Sequence, residues 1–111
     1  MSAFVDNAPA AVSLLDGDGR FVLVNREAER VMGAPRSAIL GRSRDEIPTL
    51  RTGQDDRDNE LAVVNARKPA TFEETARLDD GDHSYVSVRF PLIDETGSVF
   101  GVATSRPTSH R

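Results

Sequence analysis

The sequence has no cysteine and no tryptophan, and among its 111 residues Tyr85 is the single tyrosine and Lys68 the single lysine. Without cysteine there is no disulfide, no thiolate metal site, no cysteine nucleophile and no cysteinyl–flavin adduct. The same absence fits a reducing compartment, so a cytoplasmic location is expected. No apolar run approaches the ~20 residues of a membrane span. The N-terminus, MSAFVDNAPAA, lacks the basic and apolar regions of a signal peptide. The net charge is −4 with both signs mixed along the chain, which leaves no basic stripe for a nucleic acid. Scarce aromatics leave no platform for stacking bases.

What is present suits one domain, long enough to bury a core without covalent staples. Residues 1–10 read as an arm or short helix bearing Phe4 and Val5, broken by Pro9. Residues 11–105 read as the domain and 106–111 as a tail. The apolar runs Ala11–Leu15 and Phe21–Val24 flank DGDGR, which predicts a β-hairpin. Asn25 is placed to cap a helix carrying Ala28, Val31 and Met32, and Gly33 suits its left-handed stop. A second short helix fits Pro35–Leu40, ended by Gly41. Ser43-Arg44-Asp45-Glu46 matches a capping box, and Pro48 keeps the helix after it short. The charged stretch Thr52–Glu60 leads into a helix bearing Leu61, Val63 and Val64, which Pro69 ends.

Thereafter the period becomes that of strands: Thr71–Leu78, His83–Leu92 and Val99–Thr104, with turns at Asp79–Asp82 and Asp94–Ser98. The order is β-β-α-α-α-α-β-β-β, an α+β fold. His83–Leu92 alternates, with Val86, Val88 and Phe90 on one side and Tyr85, Ser87 and Arg89 on the other. AVSLL, FVLV and VFGVA do not alternate. Strands apolar on both sides are covered on both sides. Helices can cover one face; the N-terminal arm or a second subunit is expected on the other.

The chemistry-bearing residues form no catalytic constellation. Asp16, Asp18 and Glu27 match three positions of a calcium loop, but Arg20 stands where an oxygen ligand belongs and Phe21 where the turn needs glycine. The glycines of DGDGR precede a strand instead of opening a helix, so a phosphate loop is excluded as well. Asp79, Asp80, Asp82 and His83 read as a solvated hairpin tip, and His110 as part of a tail. Glu73 and Glu74 lie in a strand and face opposite ways, so they cannot act as paired carboxylates. No metal site is expected.

The stretch DNAPAAVSLLDGDGRFVLVNREAERVMGAPRSAILGR resembles the N-terminal half of a PAS domain, with Asp16, Gly19, Asn25, Gly33 and Gly41-Arg42 as the firmest matches and Asn7-Ala8-Pro9 at the entry to the first strand. Lys68-Pro69, Asp80-Gly81, Pro91-Leu92, Gly97 and Gly101-Val102 extend the resemblance over roughly residues 3 to 105. The chain departs from the pattern at Ser105-Arg106-Pro107, where family members carry an Asp-Ile-Thr-like triplet leading to an output helix. The helix over Asp55–Lys68 holds no histidine, so haem of the family's type is not expected. Nor is the cysteinyl-flavin chemistry of its blue-light branch.

The resemblance implies a five-stranded antiparallel sheet with helices on one face. It also implies a sensory or interaction module of a larger bacterial regulatory protein, without catalysis, working with an effector domain or partner signalling protein. A small organic ligand would enter a cavity between sheet and helices. Val86, Val88 and Phe90 are the inward candidates from the alternating strand. Leu15, Val22 and Val24 join them by resemblance, with Met32, Ile39, Leu61 and Val64 from the helices. Val12, Leu14, Leu23, Phe100 and Val102 are expected to point away from the helices and, with Phe4 and Val5, to form a homodimer interface. The competing reading is a small α+β cavity enzyme, isomerase-like, with an inward Glu74 as its acid–base residue; a strongly raised Glu74 pKa would favour it.

Overall fold

The computed structural model describes residues 10–47, 54–78 and 81–107. Phe4, Val5, Asp79, Asp80 and His110 lie outside them, as do the side chains of Asp82 and His83. The strands are β1 (Ala10–Asp16), β2 (Phe21–Val24), β3 (Ala70–Leu78), β4 (Gly81–Ile93) and β5 (Val99–Pro107); the helices are α1 (Arg26–Met32) and α2 (Gln54–Ala66). The sheet order is β2-β1-β5-β4-β3, every neighbouring pair antiparallel. The expected α+β order therefore holds, but two of the four helices shorten to single 3-10 turns, Arg36–Ala38 and Arg44–Glu46. Prolines and left-handed glycines stand too close together there for a longer helix: Pro35, Pro48, and Gly33 and Gly41 with φ of 72° and 82°.

The cap on α1 joins the first hairpin to the helix. Asn25 Oδ1 accepts from the Ala28 N–H at 2.9 Å and from the Val12 N–H at 2.9 Å, while its Nδ2 donates to the Ala10 carbonyl at 2.8 Å. One buried side chain thus starts a helix and fastens the edge of β1. Gly33 closes α1 in the left-handed conformation, its N–H donating to Glu29 O. The capping-box expectation is met at Ser43, whose N–H donates to the Glu46 carboxylate at 2.9 Å. Helix α2 ends at Arg67, which takes a left-handed φ of 59° and donates its N–H to Val63 O.

Cross-strand register decides which side chains face the helices. The pairs Ser13↔Val24, Leu15↔Val102, Ser13↔Thr104, Arg89↔Thr104 and Phe72↔Ser87 place these residues on the covered face. Leu15, Phe21, Val24, Ala28, Ile39 and Ile47 form the main core cluster, with Ala11 and with Met32 packed against it.

Three inward or outward expectations are corrected here. Val22 is 56% exposed, because the register passes from Leu14↔Leu23 to Leu15↔Phe21 and leaves Val22 as the extra residue of a bulge. Val86, Val88 and Phe90 lie on the face away from the helices, and it is Ser87 and Arg89, both fully buried, that face inward. Alternation shows that two faces differ; it does not say which is covered, and here bonded partners for Arg89 made the polar side the inner one. Val102, expected outward, sits opposite Leu15 on the covered face and is buried. Phe100 does not share its parity: the register shift from Leu92↔Gly101 to Ile93↔Val99 takes Phe100 out of the alternation and leaves it exposed.

Candidate functional site

Where α2 crosses the sheet, the gap is filled by charge. Arg89, wholly buried on β4, donates through Nη2 to Glu74 Oε2 at 2.8 Å, and through Nη1 to Glu60 Oε2 at 3.0 Å and Thr104 Oγ1 at 3.2 Å. Arg106, near the end of β5, holds the other oxygen of Glu74 at 2.8 Å. Asn59 of α2 donates to Glu74 Oε2 at 2.9 Å, and Arg44 pairs with Glu60. These bonds join three guanidiniums to two carboxylates from β3, β4, β5, α2 and the Arg44 turn.

Burial alone would raise the pKa of Glu74. The charge of Arg106, with hydrogen bonds from Arg89 and Asn59, outweighs it and lowers the pKa to about 2. Glu74 does face inward, but it is locked in the ionised form and is neither a general acid nor a base tuned near neutrality.

Arg44 links this cluster to the core, its guanidinium 5.4 Å from the centre of the Phe21 ring. A cavity opens on each side of it. The larger is a groove of about 370 Å³ between α2 and the first hairpin, lined by Leu15, Leu61, Val64 and Val102 with Arg44 and Glu60, and edged by Asp18 and Arg57. The smaller, about 40 Å³, lies between α1 and the sheet and is lined by Ala11, Ser13, Ala28, Val31, Met32, Arg44, Thr104 and Arg106. Two buried polar atoms among the described residues have no hydrogen-bond partner: Ser87 Oγ and Arg44 Nε.

The ten cavity candidates separate. Leu15, Leu61 and Val64 meet in the groove, and Met32 lines the small cavity. Val24 and Ile39 are core filling with no exposure. Val22, Val86, Val88 and Phe90 line neither cavity. Of the outward candidates, Val12, Leu14 and Leu23 lie half-buried on the face away from the helices, where Leu23, Leu14, Ala103 and Phe90 form one cross-strand row and Val12, Ser105, Val88 and Thr71 the next. Sequence reasoning missed Arg44, Arg89 and Arg106. The available signal was the inward Glu74: a buried carboxylate demands a cation, and Arg89 is the arginine of the adjacent strand.

The sequence profile of the PAS fold family matches residues 5–109. A methanogenesis regulatory histidine kinase, FilI, from Methanothrix harundinacea is 29% identical over 99 residues, which are 88% of this chain and 11% of that protein. The chain therefore spans only a small part of that relative's length. The PAS domain of BvgS from Bordetella pertussis superposes with a TM-score of 0.77 at 19% identity, over 97% of this chain and 83% of that one, a likeness of fold alone. The PAS domain of an HTR-like protein from Haloarcula marismortui superposes with a TM-score of 0.63 at 27% identity, over 94% and 85% of the two chains.

Proposed function

Because this chain belongs to the PAS fold family, we propose that it is a non-catalytic sensory module of a larger regulatory protein, and that it signals by pairing with a second copy through the sheet face away from the helices. The observation that carries the reading is the pair of cross-strand rows Leu23–Leu14–Ala103–Phe90 and Val12–Ser105–Val88–Thr71, in which no position is charged. A surface without charge meets its own copy across a two-fold axis without repulsion. Apolar area of this kind is a contact surface more often than a bare one. Phe90, 37% exposed, extends the proposed interface beyond Val12, Leu14, Leu23 and Phe100, while Val86 lies at its margin opposite Glu73.

The likeness to a regulatory histidine kinase supports an effector elsewhere in the parent protein. The ionised Glu74 supports a module that does not catalyse. The test is the solution mass of the wild type beside Leu14→Asp and Phe90→Asp, by light scattering coupled to size exclusion. The wild type should run as a dimer and both variants as folded monomers. A wild-type monomer at ~100 μM, well above an ordinary specific Kd, would refute the pairing.

A second reading is favoured by the groove. Its volume and the apolar wall of Leu15, Leu61, Val64 and Val102, bordered by the charged Asp16, Asp18, Arg44, Asp45, Arg57 and Glu60, suit a small organic ligand that carries polar groups. Native mass spectrometry of the purified chain would reveal such a ligand as an added mass that leaves on denaturation. Leu61→Trp, substituting a residue 58% exposed at the groove wall, should then abolish the added mass without unfolding the chain.

A further inference from the structure

We propose that the open edge of β3 is a further self-association surface, where β3 of another copy of this chain pairs antiparallel across a two-fold axis at Thr75 and continues the sheet. The contact is separate from the apolar sheet face and does not rest on the pairing proposed there.

The two edges of the sheet are finished differently. Beyond β2 the chain closes its own edge: Gly41 N–H donates to Phe21 O at 2.8 Å, Phe21 N–H donates to Arg42 O at 3.0 Å, and Arg20 bridges to Ser43. At the other end, β3 has no strand beyond it among the described residues and no proline from Ala70 to Leu78. An open edge of that length is a template for another strand. Backbone parity shows which residues it offers. Val12 O accepts from Asn25 N–H, and Asp16 N–H donates to Arg20 O, so the even residues of β1 bond toward β2. Alternation carried through the registers of β5, β4 and β3 turns the backbone groups of Thr71, Glu73, Thr75 and Arg77 to the open edge. An identical strand must therefore set odd residues against odd. With the two-fold at Thr75, Glu73 of each copy stands opposite Arg77 of the other, Phe72 opposite Leu78, and Glu74 opposite Ala76. One step either way loses the match: a two-fold at Glu74 sets Glu74 against itself, and one at Ala76 sets Glu73 opposite Asp79. Glu73 is exposed and has no ion-pair or hydrogen-bond partner among the described residues, so its carboxylate is free to meet a cation from another copy. One strand pair is a far smaller contact than a standard interface, and a Kd on the order of 1 mM is expected. A face-paired dimer carries two such edges, so edge pairing joins dimers into larger clusters.

The test uses Leu14→Asp, which keeps face pairing out of the measurement, with Phe90→Asp as a second background. The chain, labelled with ¹⁵N, is raised from ~0.1 to ~3 mM, and its translational diffusion and amide hydrogen exchange are followed. The expected result is a saturable slowing of diffusion, with protection gained by the amides of Glu73, Thr75 and Arg77. The amides of Phe72, Glu74 and Ala76, already turned to β4, should not change. Glu73→Arg and Arg77→Glu, introduced singly and checked for folding by their amide spectra, each set like charges opposite one another and should weaken pairing at least ~10-fold. An equimolar mixture of the two variants restores opposite charges at both positions, so it should pair as a heterodimer within about two-fold of the parent affinity. Four outcomes would overturn the proposal: no added protection up to ~3 mM, equal protection of odd and even amides, single variants that pair as the parent does, or a mixture that pairs no better than its components. Face pairing is judged on the wild type at ~100 μM, well below this range, so the two contacts succeed or fail separately.

Discussion

At the scale of single residues, two buried polar side chains stabilise more than one element each. Asn25 is fully buried and couples α1 to β1 through bonds to Ala28, Val12 and Ala10. Asn25→Ala removes the cap and orphans strand groups, so urea unfolding should report a loss of about 2–4 kcal/mol. Asn25→Asp keeps the acceptor for Ala28 and Val12 but loses the donor to Ala10, and should fall between. A loss of only a few tenths would mean that the strand bonds contribute nothing. Glu74 is the corresponding residue on the other half of the sheet. Glu74→Gln leaves Arg106 and Arg89 without their shared carboxylate and should cost about 3–5 kcal/mol. The cap of Asn25 was legible because its partner lies three residues away. Its strand bonds were not, since Val12 and Ala10 become neighbours only when the hairpin closes.

Among the elements, the turns between β1 and β2 and between β4 and β5 prove to be one design used twice. In Asp16–Arg20 the first residue's side chain accepts from the third and fifth N–H groups, at 2.9 and 3.0 Å. In Asp94–Ser98 the same two bonds recur, at 2.9 and 3.0 Å. The fourth residues, Gly19 and Gly97, take φ of 79° and 88°. DGDGR is therefore a turn and neither a metal loop nor a phosphate loop. Gly19→Ala meets no neighbour but must adopt a left-handed φ, so it should cost about 1–2 kcal/mol. Gly101 contrasts with it. A Cβ there would lie 2.3 Å from the backbone carbonyl oxygen of Leu15, which forces β1 and β5 apart. Gly101→Ala should therefore destabilise more than Gly19→Ala, by at least about 2 kcal/mol in the same unfolding assay. Equal costs would contradict the close approach of the two strands.

At the scale of the whole molecule, the charged gap makes stability depend on acid. Glu74 has a pKa of about 2 in the folded chain against an ordinary value of 4.5 unfolded. Its contribution is complete above the unfolded value. As pH falls from 4.5 toward 2 the unfolded chain takes up the proton first, so that stability is progressively lost. Thermal melts between pH 6 and pH 3 should fall more steeply for the wild type than for Glu74→Gln. Parallel slopes would mean that Glu74 is not held ionised. The sheet also divides the molecule into a side where helices cover charge and a side where apolar rows lie clear of them, and this division underlies the proposed pairing.

Local events were legible from residue order alone: the turns at Asp16 and Asp94, the cap at Asn25, the stops at Gly33 and Gly41, the positions of the five strands and the family to which they belong. Each rests on residues a few places apart, where side-chain chemistry and allowed φ values act before any long-range contact forms. Long-range packing set which face of β4 turns inward, that Val22 is pushed out by a bulge, and that Arg44, Arg89 and Arg106 converge on Glu60 and Glu74. Those outcomes depend on register between distant strands, and a shift of one residue reverses every side chain. The inner face was then settled by whether Arg89 could find bonded partners there, a balance between desolvation and ion pairing that alternation along one strand does not record.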